Sequence, residues 1–116
     1  MTVPDAWKKM TDNKFEGKWK IVEMDAWNLK AIDLVESGYI QFDSQTTGSL
    51  HFICIYADIS YALSNGNKKA VFSFQGDDEG RAMSGRGWAT IKNNDLHGRI
   101  FNSRGEESGF IAKLIA

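Results

Sequence analysis

Eleven glycines and a single proline, Pro4, punctuate this chain, and the glycines separate short stretches in which apolar and polar residues alternate. Successive side chains of a strand point to opposite faces, so a two-residue period bounded by turn residues spells an antiparallel all-β domain. Gly17–Met24 opens the series, with Trp19 and Ile21 alternating with Lys18 and Lys20. Residues 25–36 break the period: Trp27, Ala31, Leu34 and Val35 recur at helical spacing behind Asp25, a suitable N-cap, which predicts one short helix. Residues 39–43 follow as a short strand.

Over residues 49–63 the pattern is nearly continuous, with Leu50, Phe52, Cys54 and Tyr56 on one parity and Ile59, Tyr61 and Leu63 on the other. The change of parity places a turn or bulge near Ala57-Asp58, since a slip of one residue exchanges the two faces. Asn65-Gly66 carries the chemistry of a type I′ hairpin turn, in which both central residues need positive φ. It joins that strand to one over residues 69–75. An acidic, glycine-rich loop is expected over 76–85, then strands over 86–91, 96–101 and 108–115, joined by turns at Asn93-Asn94 and Arg104-Gly105.

The expected fold is therefore an all-β antiparallel meander of about eight strands with one short helix after the first. An open sheet of that length leaves two unpaired edges, so the meander is expected to close, or nearly close, into a small barrel. Residues 1–14 read as an N-terminal arm, with Trp7 and Met10 suited to a short helix, and residues 15–116 as a single barrel domain.

Composition narrows the classes of function. With 116 residues there is material for one core, and 42% hydrophobic and 25% charged residues is the balance of a water-soluble domain. A formal charge of −1 gives no electrostatic reason for a nucleic-acid or anionic-membrane partner. The longest apolar run, residues 52–57, is too short for a spanning helix. It contains the one cysteine, Cys54, which reads as a buried thiol of a cytoplasmic protein. Met1 to Lys14 lacks the apolar core of a secretion signal.

Phe15-Glu16-Gly17-Lys18-Trp19 is similar to the glycine-any-tryptophan opening of lipocalins and other calycin barrels, which implies that Trp19 packs across a closed barrel end. A longer match resembles a family of small bacterial β-barrel proteins without an assigned activity. It runs through Glu23-Met24-Asp25 with Trp27, Tyr39-Ile40 with Phe42, and Ser84-Gly85-Arg86-Gly87-Trp88-Ala89. It continues through Gly98-Arg99-Ile100-Phe101 to Gly105, Ser108-Gly109-Phe110 and Ala112. Where many relatives carry a histidine after the isoleucine-phenylalanine pair, this chain has Ser103, and their acidic pair stands here as Glu106-Glu107.

Residue chemistry offers few catalytic candidates. His51 and His97 sit among apolar neighbours and read as core-edge or surface imidazoles, because a zinc site needs three or four ligands. The isoleucines around Cys54 argue against a reactive thiolate. Asp77-Asp78-Glu79-Gly80-Arg81 lacks the spacing of a calcium loop and reads as an acidic hairpin tip. Residues 80–86 have the glycines of a phosphate-binding loop without its hydroxyl residue and helix. No metal or cofactor is expected.

The charged and aromatic set is richer. Glu23 shares parity with Trp19 and Ile21, Arg99 with Phe101, and Arg86 with Trp88. If those faces point inward, the barrel holds a carboxylate and guanidinium groups, either as an ion pair of Glu23 with Arg86 or Arg99 or as the lining of a small pocket. The pocket reading makes the chain a non-enzymatic binder of a small anionic, aromatic or hydrophobic ligand. Trp19, Phe52, Tyr56, Phe72 and Trp88 form its wall, Glu23, Arg86 and Arg99 its polar groups, and Trp27 caps one end. The alternative is a protein-interaction or self-associating module, such as a homodimer, with a filled barrel. An enzyme using Glu23 or Glu106-Glu107 as acid or base lacks a recognisable nucleophile, metal cage or triad.

Overall fold

A computed structural model describes residues 13–116. The arm expected over 1–14, with its helical turn around Trp7 and Met10, lies outside the described residues except for Asn13 and Lys14. The strands are β1 (Gly17–Met24), β2 (Tyr39–Phe42), β3 (Thr47–Phe52), β4 (Ile55–Ser64), β5 (Lys69–Asp78), β6 (Arg81–Lys92), β7 (Asp95–Asn102) and β8 (Glu107–Leu114), with one helix, α1 (Leu29–Ile32), after β1. Each strand pairs antiparallel with its sequence neighbour, and β1 pairs with β8 to close the barrel. Closure is carried by Trp19 opposite Leu114 and Met24 opposite Phe110. The first and last strands of the meander, which an open sheet would leave as its two edges, thus pair with each other.

Three local readings differ from expectation, each for a physical reason. The apolar run over 52–57 is not one strand: Ile53 and Cys54 form a two-residue turn between the paired residues Phe52 and Ile55. The parity change therefore falls at Ile53-Cys54, not at Ala57-Asp58. Ile53 adopts φ 57°, unfavourable for a β-branched side chain, and its N–H is held by Ile32 O at 2.8 Å. Cys54 consequently sits half-buried at a hairpin tip and not in the core.

Second, residues 76–85 are not a loop. β5 and β6 continue to Asp78 and Arg81 and turn through Glu79-Gly80, with φ of 52° and 83°. Asn93-Asn94, with φ of 53° and 69°, turns in the expected way, while Asn65-Gly66 belongs to a longer connection between the paired Ser64 and Lys69, with Asn67 also at φ 67°. Third, the helix is a single turn. Asn28, not Asp25, caps it, its Oδ1 accepting from Ala31 N at 2.9 Å. Leu34 and Val35 are exposed, and Ile32 alone is driven fully into the barrel end.

The interior is solid where β5 to β8 face one another. On the inner parity Phe74 lies opposite Gly85, Phe72 opposite Gly87, and Gly98 opposite Phe110. A Cβ added at Gly85 would stand 2.5 Å from Phe74 Cζ, at Gly87 2.6 Å from Phe72 Cζ, and at Gly98 2.7 Å from Phe110 Cζ. Each ring thus occupies the space that a side chain on the neighbouring strand would have taken, which is how large and small residues interdigitate in a small barrel. Phe42 sits between Tyr61 and Phe72, with ring centroids 4.8 and 6.0 Å away, both in edge contact.

Candidate functional site

Residues 25–38 cross the barrel end between β1 and β2. Asp25 Oδ2 accepts from Gly109 N at 3.0 Å and from Arg99 Nη1 at 3.3 Å, and Ser108 Oγ accepts from Ala26 N at 3.1 Å. At the other side Asp33 accepts from Gly38 N at 2.8 Å and from Lys20 Nζ at 3.3 Å. Trp27 lies against Phe52, with ring centroids 5.6 Å apart. Beneath this cap, Ile21, Met24, Phe52, Ile100 and Phe110 border an apolar void of about 10 Å³. That is at the lower limit for one water molecule, and with no polar lining it offers no hydrogen-bond partner.

The expected site residues consequently do not line one cavity. Trp19, Phe52 and Phe72 are buried inside, and Trp19 Nε1 spends its single donor on Phe15 O at 2.8 Å. Glu23 is exposed, because a register shift between Ile21 and Glu23 returns the carboxylate to the outer face and turns Met24 inward. Tyr56 is on the outer face, its hydroxyl donating to Glu36 Oε2 at 2.7 Å, and that carboxylate together with burial raises the phenol's pKa. Arg86, Trp88 and Arg99 also point outward. The inner parity of their strands belongs to Gly85, Gly87, Ala89, Gly98 and Ile100.

The expected pairing of Glu23 with Arg86 or Arg99 is absent. Arg99 reaches Asp25 and Glu107, both at 3.3 Å, in a half-exposed cluster that ties the cap to β7 and β8. Trp88 is covered by Lys69, whose Nζ lies 4.9 Å from the ring centroid.

His97 is half-buried on the outer parity of β7, and His51 and Cys54 are engaged by close neighbours. His51, on the outer parity of β3, is fully buried and stacks on Tyr56 with centroids 4.0 Å apart. Its Nδ1 faces Ile55 O at 2.8 Å, so that nitrogen carries the proton, and Nε2 is left without a partner among the described residues. The Cys54 pKa is raised, first by the Glu79 carboxylate that accepts from the thiol and then by desolvation, the opposite of what a nucleophile needs. Burial likewise raises the Tyr61 phenol, whose hydroxyl accepts from Asn13 Nδ2 at 2.7 Å. Among the described residues no group of three or more His, Cys, Asp or Glu side chains is placed to hold a metal ion. No described helix is long and apolar enough to cross a membrane.

Among its surface clefts, one of about 710 Å³ lies on the outer wall of β4 to β7. Register explains its lining. Ser60 lies opposite Ser73, Ser73 opposite Arg86, and Arg86 opposite Phe101, while Asp58, Gln75 and Ser84 form the next outward row. With neighbouring strands about 4.8 Å apart, the row from Ser60 to Phe101 spans roughly 14 Å. Asn102 and Ser103 close one side, and Ser103 N donates to Ser84 O at 2.8 Å. Neither Arg86 nor Asp58 has an oppositely charged partner within 4.0 Å among the described residues, whereas Arg99 and Arg104 do.

Of the site residues expected from sequence, only Arg86 lines this cleft. The serines and Gln75 carried no signal of their own, since polar residues on the outer parity of a strand are what any solvated sheet face contains. No family model, curated protein or solved structure matches the chain.

Proposed function

We propose that this protein is a non-enzymatic binding module with a filled barrel, and that it takes an anionic ligand on the outer wall of β4 to β7, at Arg86. The observation that carries this reading is a guanidinium without a carboxylate partner in a cleft large enough for a ligand. Packing of Phe72, Phe74 and Phe110 onto glycines supports the choice of the outer wall, because a ligand in the interior would have to displace those rings. The resemblance to calycin barrels bears on the architecture alone.

Titration with inorganic phosphate and with citrate, followed by amide NMR, tests it. Shifts are expected at Ser60, Ser73 and Arg86, with none at Phe72 or Ile100, and Arg86→Ala is expected to remove them while leaving the melting temperature within about 2 °C. Shifts concentrated at the interior residues would overturn the reading. Self-association is the second function the surface supports, through the exposed Leu114 and Ile115 at the end of the chain and Leu29, Leu34 and Val35 on the cap. It predicts a mass in sedimentation that rises with concentration.

A further inference from the structure

We infer that the ligand of the outer cleft is an acidic saccharide, a polyhydroxylated ring bearing a carboxylate. This rests on the reading of the cleft as an anion site and adds its substrate class. A simple inorganic anion is served by donors alone and makes no use of acceptors or apolar surface beside them. This cleft instead mixes Arg86 with the Asp58 carboxylate, the Gln75 and Asn102 amides and the hydroxyls of Ser60, Ser73 and Ser84. A serine hydroxyl both donates and accepts, as does a sugar hydroxyl, so a row of them suits a ligand whose groups have the same double capacity.

Asp58, acceptor-only when ionised, complements sugar O–H donors and repels a second negative charge, which places the carboxylate of the ligand at the Arg86 end. Phe101, half-buried, next to Arg86 across the ladder and lining the cleft, supplies apolar surface for the C–H groups of the same sugar. The floor of the cleft is a paired sheet, so its backbone donors and acceptors are already spent. Recognition must come from these side chains, which disfavours an extended peptide that would need an open strand edge. A nucleic acid is disfavoured by the Asp58 carboxylate and by a chain charge of −1.

The experiment is an amide NMR titration of the full chain with a glucuronate-containing tetrasaccharide and with its neutral glucose counterpart of the same linkage. The acidic sugar is expected to shift Ser60, Ser73, Ser84 and Arg86 and to bind at least tenfold more tightly than the neutral one. Arg86→Gln should abolish that preference while retaining weak binding of both, and Phe101→Ala should weaken both alike. Melting curves of the variants verify that they fold. Equal binding of the two sugars, or a preference that survives Arg86→Gln, overturns the assignment of the carboxylate to Arg86. If phosphate or citrate shifts these amides and neither sugar does, the saccharide inference fails while the anion cleft stands. If none of the four ligands shifts them, both fail.

Discussion

The inner and outer faces of the wall formed by β4 to β7 are the same strands read in opposite parity, and they have become opposite kinds of surface. Inside, Phe72 and Phe74 lie over Gly87 and Gly85, leaving no room for a guest. Outside, one residue further along each strand, Ser73, Gln75, Ser84 and Arg86 line an open cleft. The difference teaches that a barrel of this size can pack its lumen with side chains and still present an open polar groove on its wall. Packing consumed the interior and left the polar parity available.

That contrast can be broken first from within. Phe72→Ala should cost about 3–5 kcal/mol, because it removes a buried ring and leaves a cavity over Gly87 that the ladder is too stiff to close. Chemical denaturation would measure it, and a cost below 1 kcal/mol would mean that the lumen is not packed as described. Overfilling the lumen at a different ring–glycine pair is the complementary test. Gly98→Ala brings a methyl group within 2.7 Å of Phe110 Cζ and against the Trp88 carbonyl oxygen, and should cost about 1–3 kcal/mol.

The outer face should respond far less. Arg99→Met breaks two ion pairs whose partners are more than half exposed, so solvent screening limits the loss to about 1 kcal/mol or less. Had Arg99 neutralised a buried Glu23, the same change would cost several kcal/mol. Arg86→Ala should fall within about 0.5 kcal/mol of the parent, its effect confined to ligand titrations. The smallest effect is kinetic and local. Because the Glu79 carboxylate raises the Cys54 pKa, less thiolate is present at a given pH than in a free thiol. Glu79→Gln should therefore speed alkylation of Cys54 near pH 8, and an unchanged rate would show that the contact is absent in solution.

Parity errors explain where the sequence reading of the site failed. Trp19, Phe52 and Phe72, expected as pocket wall, were legible as inward-facing because each alternates with its neighbours at a two-residue period. Glu23 was misplaced by a register shift, which adds a residue to one strand without a glycine or proline to announce it. Arg86, Trp88 and Arg99 were read by aromatic company, Trp88 and Phe101 suggesting an inward row. The glycines and alanine between them carry the inner face instead. A residue with no side chain is silent in a hydrophobicity pattern, and its partner ring speaks from a different strand. The turn at Ile53-Cys54 was hidden in the same way, by two apolar residues in a place where turn chemistry calls for glycine or asparagine.

The amino-acid order alone determined the all-β class, the number of strands, their neighbour-to-neighbour order and the single short helix, because strand period, turn residues and the penalty on open edges are local or nearly local quantities. Which parity faces inward, whether the lumen is empty, and where a cleft forms were decided only when eight strands closed on one another. Those outcomes depend on how a ring on one strand meets a glycine on the next, and that meeting is set by register across the ladder, not by any stretch of chain.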